Sequence, residues 1–308
     1  MHESILQSIG NTSLLELRNI GPTGHARLLI KLESENHTGS MKDRMALAVI
    51  DAAERDGRLK SGGRVIEYTG GSTGVALALV CSVRGHPLSI VTSDAFSEEK
   101  LNHMAALGAE LTVIPSVDGG MSEALTRNMI EGAHQIRERS GGFLTDQLNN
   151  ADALSCYRMM GDEIWSQTSG KIDAFVQSVG TAASVRGTAE SLRKHNPDIS
   201  IVAVEPSESA VLSGEKTGVH KIEGVGAGFV VPLWDLSIVT EIAKVSRDDA
   251  MPMARRLARE EALFAGTSTG ANVLAALDIA NRLGPDATVV TLMVDSGIKY
   301  LSTVLYKK

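Results

Sequence analysis

The sequence predicts an α/β protein of two lobes, each a mostly parallel twisted sheet flanked by helices. Two observations carry this. Short apolar runs of strand character alternate with helix-periodic segments along the chain, and four strand ends pass through a short loop into a helix. Such alternation argues for parallel strands joined by right-handed crossovers. A chain of 308 residues, 43% of them hydrophobic, is ample for a packed core and for two lobes.

Taken in order, Ile9-Gly10-Asn11-Thr12 reads as a turn, 14–17 as a short strand, and Gly21-Pro22-Thr23-Gly24 as a loop before the strand Leu28-Leu29-Ile30. The segment Asn36-His37-Thr38-Gly39-Ser40-Met41-Lys42-Asp43-Arg44 then leads into a helix over 45–55, where Met45, Ala48, Val49 and Ala52 share one face. Lys42 thus stands at a strand-to-helix junction, where ligands of open α/β sheets bind. On this stretch alone, Ser40 as a helix cap, Asp43 at the positive helix end and a solvated Lys42 explain the residues equally well.

Val65-Ile66-Glu67-Tyr68 is a strand, Thr69-Gly70-Gly71-Ser72-Thr73-Gly74 a small-residue loop, and 75–83 an apolar helix. Strands over 88–91 and 111–114 alternate with helices over 98–107 and 121–139. A helix over 153–167 precedes the strand 174–179, the loop Gly180-Thr181-Ala182-Ala183-Ser184 and a helix over 185–194. After the strand 201–204, the span 206–235 has little periodicity and reads as a long ordered loop. A helix over 248–261, a strand Leu263-Phe264-Ala265, the loop Gly266-Thr267-Ser268-Thr269-Gly270, a helix over 271–283 and a strand over 288–294 complete the pattern.

The formal charge of -7, with Lys and Arg dispersed, leaves no basic stripe, and aromatics at 4% are too few for stacking platforms. Nucleic acid is not an expected partner. Cys81 and Cys156 read as buried free thiols, and no His or Cys spacing suits a metal. No apolar run approaches the ~20 residues that span a bilayer, and the N-terminus has no targeting pattern, so a cytoplasmic location is expected.

Three junctions are Gly/Ser/Thr loops opening helices, where free N–H groups and the helix dipole favour anions. No loop matches a nucleotide-binding pattern, since Gly224-Val225-Gly226-Ala227-Gly228 runs into Phe229 and Pro232. Several anion sites and one lysine at a helix start fit pyridoxal 5'-phosphate. That cofactor needs a phosphate cradle, a Schiff-base lysine, a partner for its pyridine nitrogen and a place for the substrate carboxylate.

Ile9-Gly10-Asn11-Thr12, Gly39-Ser40-Met41-Lys42-Asp43-Arg44, Gly180-Thr181, Val204-Glu205-Pro206, Gly224-Val225-Gly226-Ala227-Gly228-Phe229 and Asp295-Ser296-Gly297 occur together. In this order and spacing the chain resembles the cysteine synthase (O-acetylserine sulfhydrylase) family. The resemblance implies the tryptophan-synthase-β-like fold, type II of pyridoxal-phosphate enzymes, and a homodimer. The lobes are expected as 1–40 with 146–308, holding the cofactor phosphate, and 41–145, smaller and mobile. Neither a regulatory domain of the cystathionine β-synthase kind nor a haem-binding extension is expected.

By the same resemblance, Lys42 forms the internal aldimine and takes the α-proton, Gly180, Thr181, Ala182, Ala183 and Ser184 cradle the phosphate, and Ser268 bonds the pyridine nitrogen. The family usually has two further glycines where this chain has Ala182 and Ala183. Alanine keeps the N–H donors, so the cradle survives only if neither position needs a left-handed backbone. Thr69, Gly70, Gly71, Ser72, Thr73 and Gln147 are the expected contacts to the substrate carboxylate, with Ser72 also reaching the cofactor. Gly70 stands where the family commonly has serine, and Ser72 where it has asparagine.

The activity implied is β-replacement on an O-activated L-serine through an aminoacrylate, most simply O-acetyl-L-serine and sulfide giving L-cysteine and acetate. The alternatives are a cysteine or serine β-lyase, a synthase of another β-substituted alanine, or a non-catalytic regulatory paralogue. Asp146 and Asp235 are candidate acids or bases, with capping or surface roles as the plainer reading.

Overall fold

The computed structural model describes residues 3–21, 24–69, 71–117, 119 and 122–307. A short strand β1 (Leu14–Glu16) pairs antiparallel with β2 (Arg27–Leu32). Helix α1 (Lys42–Arg55) leads to β3 (Val65–Tyr68), α2 (Ser72–Arg84), β4 (Leu88–Ser93), α3 (Glu98–Ala106), β5 (Glu110–Ile114), α4 (Glu123–Ser140) and β6 (Phe143–Leu144). Then follow α5 (Ala153–Gln167), β7 (Ala174–Ser178), α6 (Ala183–His195), β8 (Ser200–Pro206), β9 (Glu241–Val245), α7 (Arg247–Glu260), α8 (Thr267–Leu283) and β10 (Thr288–Met293).

The strands form two sheets, one of six in the order β1-β2-β10-β7-β8-β9 and one of four in the order β5-β4-β3-β6. Every pairing except β1 with β2 is parallel. The α/β class with parallel-rich sheets is therefore as expected. Alternation along the central strands explains the layering. Leu29, Phe175 and Val290 enter one core cluster, while Leu28, Ile30, Ala174, Val176 and Val289 enter another on the opposite face. Each fully buried Leu, Ile or Phe stabilises the fold by about 1.5–3 kcal/mol. A third cluster joins Ala46 and Ile50 of α1 to Val65, Ile90 and the apolar α2.

Several local readings change, among them the short strand β6, which the sequence pattern does not show. The segment Leu263-Phe264-Ala265 is no sheet strand; only Ala265 bridges to Ser296. β10 is already flanked by β2 and β7, so the sheet has no place for another neighbour there. Strand β9 lies in a stretch without a clear period, and it is an edge strand whose first three residues are half-buried. Helices α1, α2, α6 and α8 begin earlier than apolar periodicity indicated, because their first turns are built from the small and polar residues of the loops themselves. The span 206–235 is ordered, with Ile222, Val225, Val231 and Leu233 buried.

Candidate active site

The loops that open α1, α2, α6 and α8 converge on one cavity of ≈ 130 Å³. It lies outside the carboxyl ends of β3 and β7, and β3 has its neighbours β4 and β6 on opposite sides, as at ligand sites of open α/β sheets. Lys42, Thr69, Gly71, Ser72, Thr73, Gln147, Gly180, Thr181 and Ser268 all line it. Ala182, the residue before α6, and Ala183 and Ser184, its first two residues, do not line it. Gly70 lies outside the described residues.

Lys42 is the first residue of α1, and its N–H donates to Ser40 Oγ at 3.2 Å. The side chain is half-buried rather than solvated, and desolvation pulls its ammonium down to about 8, with the Asp295 carboxylate opposing. An amine in that range exchanges its proton near neutral pH. The helix start is braced by buried charge. Arg44 Nε donates to Glu33 Oε2 at 2.7 Å and its Nη1 to Glu163 Oε1 at 2.6 Å, and Lys31 Nζ lies 2.7 Å from Glu163 Oε2. Although burial opposes it, the Arg44 and Lys31 cations hold the Glu163 carboxyl down at about 2. Asp43 is also buried and accepts from the Thr38 N–H at 2.8 Å, tying the loop to the first turn.

At α6 the first-turn N–H groups have no intrahelical acceptor, the arrangement that favours anions at a helix start. Gly180 is required by close approach: a Cβ there would lie 2.5 Å from the Gly224 carbonyl oxygen. Ala182 has φ +67° and is left-handed, so one of the two alanines does occupy the conformation that favours glycine. It is 1% exposed, and packing holds it there at a cost of about 1–2 kcal/mol. Ala183 is ordinary helix. The expectation that neither alanine would need a left-handed backbone therefore fails at Ala182, which keeps that conformation because it is packed in the core. Ser268, 3% exposed, sits in the first turn of α8 on the cavity wall.

The loop after β3 spends its hydroxyls. Thr69 Oγ1 accepts from Gly71 N–H at 3.1 Å, Thr73 Oγ1 donates to Gln147 Oε1 at 2.8 Å, and Ser72 Oγ donates to Asp295 Oδ2 at 3.3 Å. Gln147 Nε2 donates to the Tyr68 carbonyl at 2.7 Å. Beneath it, the buried Glu67 carboxyl accepts from Tyr68 N–H, Gln147 N–H and Thr145 Oγ1, and desolvation pushes it up to about 8. Asp146 and Asp235 do not line the cavity. Asp146 accepts from Tyr68 OH at 2.6 Å and from Asn149, while Asp235 accepts from Ser237 N–H and Oγ, so both are capping or bracing groups.

Sequence reasoning missed Lys100, Glu223 and Tyr300 on the cavity wall and assigned no role to Asp295. Tyr300 OH donates to Asp295 Oδ2 at 2.6 Å. The available signals were adjacency: Glu223 directly precedes the Gly224 motif, Tyr300 follows Asp295-Ser296-Gly297, and Lys100 lies in the first turn after β4.

A family model described as "Pyridoxal-phosphate dependent enzyme" matches residues 5–295. The chain belongs to the pyridoxal-phosphate dependent enzyme family. Among its relatives, a cysteine synthase of Staphylococcus aureus (strain Mu50) is 41% identical over 306 residues, covering 99% of this chain and 97% of that protein. A structure of O-acetyl serine sulfhydrylase isoform 3 from Entamoeba histolytica superposes with TM-score 0.92 at 36% identity, covering 100% of this chain and 92% of that one. A structure of O-ureido-L-serine synthase superposes with TM-score 0.92 at 35% identity, covering 99% and 95%. The cofactor of this pyridoxal-phosphate dependent enzyme is pyridoxal 5'-phosphate, and a type II fold is shared with these neighbours. Among the described residues no cluster of His, Cys, Asp or Glu could hold a metal, and no helix is long and apolar enough to cross a membrane.

Proposed function

We propose that this chain catalyses β-replacement on an O-activated L-serine, taking O-acetyl-L-serine and sulfide to L-cysteine and acetate. The observation that carries the reading is the convergence of Lys42, Gly180, Thr181, Ser268, Thr69, Gly71, Ser72 and Thr73 on one cavity. When bound, the cofactor supplies the electron sink that lets an amino acid lose its α-proton and its β-substituent. Lys42 is assigned as the residue that bonds the cofactor covalently and, once released, moves the α-proton. Its depressed ammonium suits both tasks, since each needs a free amine near neutral pH.

Gly180, Thr181, Ala182, Ala183 and Ser184 hold the phosphate through backbone N–H groups, and Ser268 bonds the pyridine nitrogen. A neutral hydroxyl there does not stabilise a positive ring, which favours β-elimination and replacement over transamination. Thr69, Gly70, Gly71, Ser72, Thr73 and Gln147 orient the substrate carboxylate. Ser72 acts partly through Asp295, the acceptor of its hydroxyl. The lobes are taken as 1–40 with 146–308 and 41–145, and the working unit as a homodimer in the cytoplasm.

The test is the visible spectrum of the holoprotein with O-acetyl-L-serine and then sulfide, with L-cysteine measured as product. A band that shifts with the donor and returns with sulfide is expected. In Lys42→Ala the borohydride-reducible link to the cofactor and turnover are both expected to vanish, and a retained link sinks the assignment. Sulfide release from L-cysteine with no response to O-acetyl-L-serine identifies a β-lyase instead.

A further inference from the structure

Four charged side chains line the cavity among the described residues: Lys42, Lys100, Glu223 and Asp295. Lys100 Nζ lies 2.6 Å from Glu223 Oε2, their side chains 2% and 15% exposed. Lys100 is confined on its other sides. Its Nζ stands 4.1 Å from the centroid of the Tyr300 ring, and its stem covers Gly71 so closely that a Cβ there would collide with Lys100 Cδ. Asp295 Oδ2 accepts from Tyr300 and Ser72, while its buried Oδ1 has no hydrogen-bond partner. With Lys42 committed to the cofactor, a substrate entering this cavity meets the neutral Lys100–Glu223 pair and the Asp295 carboxylate, which the buried Lys299 ammonium partly offsets from behind the wall.

We propose that Glu223, held in place by Lys100, is the residue that restricts the donor to amino acids whose β-substituent carries no charge, and that it rejects a phosphate ester. The inference rests on the β-replacement reading above and names the class of leaving group. The reason is electrostatic. A dianionic substituent must either lie against Glu223 and Asp295 or draw Lys100 away, leaving the Glu223 carboxylate without its counter-ion in a largely buried place. An acyl ester, a carbamoyl-type ester or a plain hydroxyl leaves the pair intact. Selectivity of this kind comes from the penalty on the wrong ligand more than from contacts to the right one.

The test uses the holoenzyme, its Glu223→Gln variant and its Glu223→Asp variant. Initial rates with sulfide are compared for O-acetyl-L-serine and O-phospho-L-serine. In parallel, calorimetry measures binding of two unreactive ligands, O-methyl-L-serine and the phosphonate L-2-amino-4-phosphonobutanoate. The parent enzyme is expected to prefer the uncharged member of each pair. Glu223→Gln should reduce that preference by about tenfold or more, while Glu223→Asp, which keeps the charge, should retain it. Equal or tighter phosphonate binding by the parent, or a preference unmoved in Glu223→Gln, overturns the proposal. If neither donor supports sulfide transfer and the binding preference still collapses in Glu223→Gln, the β-replacement reading falls and the role of Glu223 stands.

Discussion

The loops after β7 and β3 follow the same plan, a strand end, a few small residues and a helix, yet they are held in opposite ways. After β7 the structural content is in the backbone: Gly180 packs against the Gly224 carbonyl, Ala182 is left-handed, and the methyl groups of Ala182 and Ala183 are turned into the core. After β3 it is in the side chains, with Thr73 committed to Gln147 and Ser72 to Asp295. An anion cradle of N–H groups tolerates replacement of glycine by alanine, provided packing supports the backbone.

That contrast can be broken at Gly180. Gly180→Ala places a methyl group against a backbone carbonyl that no rotamer change can relieve, so we expect a cost of about 1–3 kcal/mol in stability and a fall in cofactor occupancy. The measurements are thermal unfolding and the ratio of cofactor to protein after dialysis; an unchanged occupancy would show that the cradle does not depend on this approach.

A smaller effect is expected beneath the side-chain loop. Glu67 titrates at about 8 in the fold, above its ordinary value of 4.5, so the folded state binds the proton more tightly than the unfolded chain does. Its contribution is fully present below the ordinary carboxyl range and is lost as pH rises to about 8. Thermal unfolding followed from pH 5 to 8 should show the parent losing stability across this window, and Glu67→Gln losing less. Parallel curves would remove Glu67 as the cause.

The smallest change sharpens the comparison from the other side. Ala182→Gly removes a left-handed alanine, and relief of about 1 kcal/mol, offset in part by the entropy of glycine, should raise the unfolding midpoint slightly without weakening the cofactor. A drop in stability would mean that the buried methyl group contributes more than its backbone costs.

The same contrast explains what was legible in the sequence. Central strands such as β7 and β10 announce themselves, because burial on both faces leaves short runs rich in apolar and β-branched residues. The edge strand β9 and the two-residue β6 carry no such run and were not apparent. Lys42, Ser268 and the loop at Gly180 were readable because a small-residue loop before a helix is a local pattern. Lys100 and Glu223 were not, since each is an unremarkable charge until the fold sets one against the other, 123 residues apart along the chain. Asp146 and Asp235 show the reverse, carboxylates whose positions invited a catalytic role and whose neighbours use them as caps.

The position of β10 bears on biosynthesis. It is the last strand in the described chain, yet it lies in the middle of the six-stranded sheet, between β2 and β7. On a ribosome, β2 and β7 emerge with no strand to join them and expose unpaired edges until Met293 has left the exit tunnel. The larger sheet therefore closes only after β10 has been made, and a product terminated before it lacks both that keystone strand and the Asp295–Tyr300 wall of the cavity.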